Sequence, residues 1–158
     1  MNDTIVREAE LRDLTDYVKL AEMFHAASPM HNFIPFDPEG YANFFVSSLE
    51  KTDVKLWLAE KNGEMIGITG AILFPFYFSP SSFAVQELWW WLTPNARGSG
   101  AAKLMYQKIE DWAKEVDASA LFMIALEDDK AQKMEKLYAR AGYRPMERTF
   151  CKGVTSWQ

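Results

Sequence analysis

Residues 89–105 read Trp-Trp-Trp-Leu-Thr-Pro-Asn-Ala-Arg-Gly-Ser-Gly-Ala-Ala-Lys-Leu-Met. The apolar half predicts a strand that stops at Pro94, and an amphipathic helix is predicted to begin near Gly100. A loop between a strand and a helix aims unpaired backbone N–H groups at one point, beside the positive end of the helix dipole. Such a point suits a phosphate group. Residues 93–100 therefore predict a phosphate-binding loop.

The side chains of this loop favour the same interpretation. Arg97 would add a positive charge beside the phosphate, while Gly98 and Gly100 remove side chains that would block close approach. A dinucleotide-binding loop would need a third glycine where Lys103 stands, and a P-loop would need Gly-Lys-Ser/Thr, which is absent. The predicted phosphate-binding residues are Arg97, Gly98, Ser99, Gly100, Ala101 and Ala102.

The composition bounds the class of protein. The chain has 158 residues, 49% hydrophobic and 15% aromatic, which is enough for one compact domain over residues 1–158. The net charge of −5 argues against a nucleic-acid-binding protein, which normally carries a basic face. Apolar runs stop short of the roughly 18 residues of a membrane helix, and residues 1–10 are too polar for a secretory signal. The single Cys151 and two histidines cannot form a conventional zinc site. A lone cysteine excludes an internal disulfide and suits a reducing cytoplasm.

The first half of the chain predicts two helices between strands. Residues 5–7 predict a short strand, and the next helix is predicted to turn inward Leu11, Leu14, Val18, Ala21 and Phe24. Asp37 and Pro38 predict the cap and first turn of a second helix. That helix is predicted to bury Tyr41, Phe44, Phe45 and Ser48. Residues 54–60 and 64–74 predict strands joined by a primed turn at Asn62-Gly63, with a bulge or a close neighbour at Gly67 and Gly70.

The second half predicts strands separated by helices. Residues 83–92 predict a long strand buried on both faces. The following helix is predicted to turn inward Ala101, Leu104, Met105, Lys108, Ile109, Trp112 and Val116. Residues 120–126 predict a buried strand, residues 130–141 a helix closed by Gly142, and residues 143–154 one or two closing strands. The order β, α, α, β, β, β, α, β, α, β predicts an α/β (α+β) fold, a mixed sheet with helices on both faces.

Two motifs in this order of elements resemble those of the GNAT superfamily, N-acyltransferases that use acyl-CoA. The first family motif is Gln or Arg, two residues, Gly, one residue, then Gly or Ala; residues 95–100 match it except that Asn95 takes the first place. The second is Leu-Tyr, three residues, Gly and an aromatic residue, which residues 137–143 satisfy. The resemblance covers essentially the whole chain. It implies a mixed sheet of about six or seven strands and acetyl-CoA-dependent N-acetyltransferase activity.

The resemblance also implies roles for individual residues. The loop would hold the diphosphate of acetyl-CoA, and the pantetheine arm would lie where the strand with Trp91 and Leu92 splays from residues 120–126. Glu87 is the only charge in residues 83–92 and is the candidate general base, because burial would raise its pKa toward neutrality. A bulge is needed to point it into the cleft. Tyr138 matches the family tyrosine whose hydroxyl protonates the departing thiolate.

Several alternatives stay open at this stage. The acceptor is expected to be a small-molecule or peptide amine, bound by the first two helices, their loop and residues 75–86. Aromatic side chains gather there, which suits a cation–π site, core packing or a homodimer surface: Phe33, Phe36, Phe74, Phe76, Tyr77, Phe78 and the tryptophans at 89–91. His25 and His31 are either proton relays or plain loop residues. The alternative function is a CoA-binding module without turnover, in a structural or regulatory role.

Overall fold

The computed structural model describes residues 4–154, so the first three residues of the polar N-terminal segment lie outside it. Five strands form one sheet in the order β1-β2-β3-β4-β5. The first three pairs are antiparallel, whereas β4 and β5 are parallel. The elements in chain order are β1 Thr4–Glu8, α1 Leu14–Ala27, α2 Pro38–Leu49, β2 Val54–Lys61, β3 Glu64–Phe76, β4 Ser79–Leu92, α3 Ala101–Glu115, β5 Ala120–Phe122 and α4 Ala131–Arg140.

Local signals set several element boundaries. Asn62 and Gly63 have φ angles of 54° and 80°, so they form the primed turn that joins β2 to β3. The Asp37 side chain accepts a hydrogen bond from the Gly40 amide at 2.9 Å and caps α2, which begins at Pro38. Gly142 has a φ of 92° just after α4, the left-handed conformation predicted there.

The sheet is covered on both faces, as predicted. Helices α1 and α2 pack on one face around Tyr17, Phe45, Leu58 and Ile68, all fully buried. Helix α3 packs on the other face around Trp57, Val85, Ile109 and Trp112. Because successive residues of a strand point to opposite faces, neighbours such as Trp57 and Leu58 enter different cores. Burial of both faces explains the long apolar runs of β3 and β4.

Part of the predicted sheet is wrong. The sheet has five strands, not six or seven, because residues 143–154 form no strand and β5 ends at Phe122 instead of at residue 126. Two residues predicted to face inward are exposed, Leu11 at 63% and Leu104 at 45%, and Lys108 is also exposed. Among the helices of residues 4–154, none combines the length and apolar character that crossing a membrane requires.

Candidate active site

A cleft opens where β4 and β5 separate. The two strands pair only from Ala84 opposite Ala120 to Gln86 opposite Phe122. Strand β4 then continues to Leu92, still paired with β3 but with no strand on its other side among residues 4–154. The geometry therefore provides the predicted splay between β4 and the segment that follows β5.

A bulge in β4 directs side chains in the cleft. Ala71 of β3 lies opposite Glu87, and the next residue of β3, Gly70, lies opposite Trp89, so Leu88 is the extra residue. Before the bulge, Val85 faces α3, and Glu87 follows it by two residues. After the bulge, Trp89 and Trp91 pack with α1 and α2. The bulge thus keeps the carboxyl group of Glu87 on the opposite face from these two tryptophans.

The main chain of β4 presents free polar groups to the cleft. The Thr93 amide donates to the Ile66 carbonyl of β3 at 2.9 Å. Since the N–H and C=O of alternate residues in a strand point to opposite sides, those of Leu92 and Trp90 point away from β3 and into the cleft. The Leu92 N–H can therefore donate a hydrogen bond to a ligand that lies in the cleft.

Glu87 lies buried at the inner end of the cleft, with 4% of its surface exposed. Its carboxylate accepts a hydrogen bond from the Ile124 amide at 3.0 Å. Burial raises the pKa of Glu87 to about 7, and the hydrogen bond from Ile124 partly opposes this rise. Its side chain is not engaged in an ion pair with any described residue. Glu87 can therefore gain and lose a proton near neutral pH.

Tyr138 and Glu87 bond to the backbone of the same residue, Ile124. The Tyr138 hydroxyl donates to the Ile124 carbonyl at 2.8 Å, while the Ile124 amide donates to Glu87. Burial raises the pKa of Tyr138 above its ordinary value, and the nearby Glu87 adds to the rise. Tyr138 is thus a protonated hydroxyl at neutral pH. The structure brings the two predicted catalytic residues together through Ile124, a residue that the sequence did not single out.

The loop at the outer end of the cleft is open. Gly98 and Gly100 have φ angles of 83° and 84°, and a Cβ built on either has no heavy atom within 4 Å. Neither glycine amide donates to an acceptor among residues 4–154. The amides of Arg97 and Ser99 donate within the loop over 3.4 and 3.3 Å, long enough to be weak bonds. The loop therefore retains unpaired donors in the place that the sequence predicts.

The first turn of α3 adds further donors and charge. No side chain caps α3 at Gly100, although the Ala101 amide makes a long bond of 3.4 Å to the Ser99 hydroxyl. Lys103 stands in the first turn of α3, where the helix dipole disfavours a positive charge. An anion bound at this helix end would stabilise that charge. The sequence pointed to Lys103 only as the residue in place of a third glycine, although its positive charge in the first turn of the predicted helix was already visible. The Arg97 guanidinium lies 5.0 Å from the centroid of the Trp91 ring, a cation–π contact at the mouth of the cleft.

The face with α1 and α2 carries a cluster of aromatic residues, whereas Trp90 packs on the α3 side against Tyr106 and Tyr138. A cavity of about 250 Å³ lies between these helices, lined by His25, Met30, Ile34, Pro35, Phe36, Asp37 and Tyr41. The Tyr41 hydroxyl and the Trp91 indole N–H are buried, and neither has a hydrogen-bond partner among the described residues. The two missing hydrogen bonds are unfavourable, because each group has also lost its contact with water.

Tyr77, Phe78 and His31 lie outside this cavity, whereas His25 is part of its lining. Tyr77 and Phe78 form the tip of the β3–β4 hairpin, where they are 71% and 83% exposed. His25 Nε2 lies 2.8 Å from the Ile34 carbonyl, and His31 Nδ1 lies 2.6 Å from the Ser28 carbonyl. The histidines thus hold the α1–α2 loop in shape. No cluster of three or more potential metal ligands occurs within residues 4–154.

Comparison with known proteins agrees with this geometry. Residues 18–143 match the family model described as acetyltransferase (GNAT) family. A search of curated proteins finds no significant match. A predicted acetyltransferase from Clostridium acetobutylicum, solved with acetyl-CoA, has a TM-score of 0.75 and 17% identity, covering 96% of each chain.

Two further solved structures share the fold. The aminoglycoside N-acetyltransferase AAC(6')-Iy in complex with CoA has a TM-score of 0.77 and 16% identity, covering 98% of this chain and 97% of that one. Ribosomal-protein-alanine N-acetyltransferase from Brucella melitensis biovar Abortus 2308 has a TM-score of 0.72 and 19% identity, covering 94% and 97%. At such identities the structural likeness establishes the fold, whereas the match to the family model establishes membership.

Proposed function

Because the chain belongs to the acetyltransferase (GNAT) family, we propose that it transfers the acetyl group of acetyl-CoA to a primary amine. The amine attacks the thioester directly. We propose that residues 1–158 form the one domain in which this reaction takes place. One observation carries the proposal: a single cleft has unpaired backbone donors at its outer end and the Glu87–Ile124–Tyr138 arrangement at its inner end. Strand geometry of about 3.3 Å per residue puts Leu92 and Glu87 about 15 Å apart, which suits an extended pantetheine arm.

The diphosphate of acetyl-CoA binds at the loop. The amides of Gly98 and Gly100 and the first turn of α3 donate to its oxygens, and Lys103 and Arg97 supply positive charge. Each interaction with an exposed helix end stabilises an anion by about 0.3–1 kcal/mol, so several converging donors are needed for useful affinity. Arg97 can reach the phosphate by leaving the Trp91 ring. Structures of the CoA-bound relatives of this fold support the assignment of CoA as the co-substrate.

Glu87 removes the proton from the attacking amine. Its pKa of about 7 allows it to be ionised at neutral pH and still accept a proton in the reaction. The amine nitrogen forms a new bond to the acetyl carbon, and the proton it loses goes to Glu87, directly or through one water molecule. The developing negative charge on the carbonyl oxygen is stabilised by a backbone N–H of β4 that points into the cleft at the Glu87 end.

Tyr138 protonates the leaving group. The bond between the acetyl carbon and the sulfur breaks, and the electron pair remains on sulfur as a thiolate. The Tyr138 hydroxyl leaves the Ile124 carbonyl and donates its proton to that sulfur, giving free CoA and an amide. Its raised pKa keeps the hydroxyl protonated until this step.

The acceptor enters from the side of α1 and α2. The cavity there joins aromatic rings of Phe36 and Tyr41 to the carboxylate of Asp37, and such a combination attracts an ammonium group. The solved relatives include acetyltransferases of aminoglycosides and of a ribosomal-protein alanine, so the fold admits amines of very different size.

We place the protein in the cytoplasm, where the exposed Cys151 stays reduced.

A thiol-release assay tests the proposal. The full chain is incubated with acetyl-CoA and a panel of polyamines, amino acids, aminoglycosides and peptide amines, and the free CoA is measured. We expect amine-dependent release with at least one class and a matching acetylated product by mass spectrometry. Tight acetyl-CoA binding without transfer to any amine would instead favour a CoA-binding module without turnover.

A further inference from the structure

The cavity between α1 and α2 is lined mainly by apolar side chains. Met30, Ile34, Pro35 and Phe36 belong to its wall, together with the ring of Tyr41. Its volume of about 250 Å³ lies below the roughly 300–1,000 Å³ of pockets that hold drug-sized ligands. The cavity therefore suits one compact apolar group and not a ligand made of several sugar rings.

The polar side chains of the lining offer a single carboxylate. Asp37 accepts a hydrogen bond from a backbone amide at 2.9 Å, and His25 Nε2 lies 2.8 Å from a backbone carbonyl, so both already have an internal partner. Burial raises the pKa of Tyr41, and its hydroxyl is therefore neutral. The carboxylates on either side of Asp37 in the sequence, Glu22 and Glu39, are exposed and are not part of the lining.

The segments on the side where the acceptor enters carry no carboxylate, lysine or arginine. Residues 23–36, which include the α1–α2 loop, contain no Asp, Glu, Lys or Arg. The same is true of residues 65–86, which form most of the β3–β4 hairpin and lead directly into Glu87. The chain as a whole is 25% charged. This side of the molecule therefore lacks the set of carboxylates that would complement a ligand with several positive charges.

Aromatic contacts join the cavity to β4. The Tyr41 ring centroid lies 5.5 Å from that of Trp89, and Trp89 lies two residues beyond Glu87 in β4. Phe24, the residue before the lining begins, has its ring centroid 6.2 Å from that of Trp91. An acceptor that holds its apolar group in the cavity can therefore extend its amine along these rings toward β4.

We propose that the acceptor is a monoamine, with one primary amine attached to a compact aromatic or alkyl group that binds in this cavity. The inference rests on the proposed function and names the class of amine that it uses. Asp37 attracts one ammonium group as the acceptor enters. A second ammonium group would lose water against apolar side chains with no further carboxylate to pair with it, which is strongly unfavourable. The chain shares its fold with an aminoglycoside N-acetyltransferase, yet the inference excludes polycationic acceptors, aminoglycosides included.

Two amines of equal size test the inference. Hexylamine and cadaverine have the same number of heavy atoms and differ only at the far end, where one has a methyl group and the other an ammonium group. We expect kcat/KM, measured by CoA release, to be about 10²-fold higher for hexylamine, and that for phenethylamine to be at least as high. A kcat/KM for cadaverine or an aminoglycoside that equals or exceeds that for hexylamine would overturn the inference and leave the proposed function standing. Absence of transfer to every one of these amines would overturn both.

A charge placed in the wall tests whether this cavity holds the acceptor. Ile34 lines the cavity and is 61% exposed, so a glutamate is tolerated there. Ile34→Glu should lower kcat/KM for hexylamine and raise it for cadaverine, each about tenfold, because the new carboxylate pairs with the second ammonium group.

Leu11→Glu is the matched control for this charge. Leu11 is also apolar and 63% exposed, but it lies before the start of α1, at the opposite end of that helix from the cavity. This variant should keep the wild-type ratio of kcat/KM between the two amines. An Ile34→Glu protein that keeps the wild-type ratio and binds CoA normally would overturn the placement of the acceptor in this cavity.

Discussion

The two ends of the cleft differ in the chemical groups that they present, backbone N–H groups at one end and buried side chains at the other. At the outer end, the exposed Gly98 and Gly100 present unpaired backbone N–H groups, and both glycines have left-handed conformations. At the inner end, Glu87 and Tyr138 present side chains that are 4% and 8% exposed, and both bond to the backbone of Ile124. Backbone N–H groups that face solvent suit the binding of an anion such as a phosphate. Buried side chains instead acquire the pKa shifts that proton transfer needs.

This contrast predicts that substitutions at the two ends affect different quantities. Changes in the loop should alter the affinity for CoA and leave the chemical step largely intact. Changes at Glu87 or Tyr138 should alter the rate and its pH dependence with little effect on CoA affinity.

Tyr138→Phe is expected to have the largest effect. Loss of the hydroxyl removes the proton donor to the thiolate, so kcat should fall about 10²–10⁴-fold. The affinity for CoA measured by calorimetry should change little, because the hydroxyl bonds only to the Ile124 carbonyl in the free protein. An unchanged rate would remove Tyr138 from the mechanism.

Glu87→Gln should lower the rate about 10²-fold and change the pH profile. A base with a pKa of about 7 is ionised above that pH, so kcat/KM of the wild type should rise as the pH approaches 7 and then level off. The variant should lose this limb but keep any limb set by the amine substrate itself. If the profiles of the two proteins coincide, Glu87 is not the base.

Glu87→Gln should lower the rate but raise the free energy of unfolding at high pH. The folded protein keeps Glu87 protonated up to about pH 7, whereas an unfolded chain loses that proton near pH 4.5. Between these values the folded state holds more protons, so a rise in pH destabilises the wild type by about 3 kcal/mol, a loss that Glu87→Gln avoids. Denaturation at about pH 4 and about pH 8 measures the difference. An equal pH dependence in both proteins would show that Glu87 is not buried in its neutral form.

Gly100→Ala should affect the outer end more modestly. Alanine at a φ of 84° costs about 1 kcal/mol of stability, and its methyl group enters the space left open for the phosphate. We expect the affinity for CoA to fall about tenfold with little change in kcat. Gly63→Ala is the matched control, because Gly63 has a φ of 80° and equally open surroundings but lies in the β2–β3 turn. It should lose similar stability and no affinity.

Features set by adjacent residues could be predicted from the sequence. The Asn62-Gly63 turn, the Asp37 cap and the left-handed Gly142 all match the structure. The strand–loop–helix at residues 89–105 also matches, because Pro94 and two glycines act locally. The bulge that the sequence required for Glu87 is present at Leu88.

Features set by contacts between residues far apart in the chain could not be predicted from the sequence. Residues 120–126 are apolar enough for a strand, but the Ile124 N–H and C=O are bonded to Glu87 and Tyr138, so β5 ends at Phe122. Leu11 falls in a 3₁₀ turn before α1, and three residues per turn shift it off the inner stripe of an α-helix. The predicted strands in residues 143–154 are absent, and Arg148 ties this stretch to Glu127 through a side-chain bond and not through strand pairing.

Amide NMR during titration with CoA tests the central claim most directly, since it observes the donors themselves. We expect the N–H signals of Gly98 and Gly100 to shift as CoA binds, while the signal of Gly63, remote from the cleft, stays in place. Binding of CoA that leaves the signals of Gly98 and Gly100 unmoved, or no binding at all, would contradict the claim that these backbone donors hold the diphosphate.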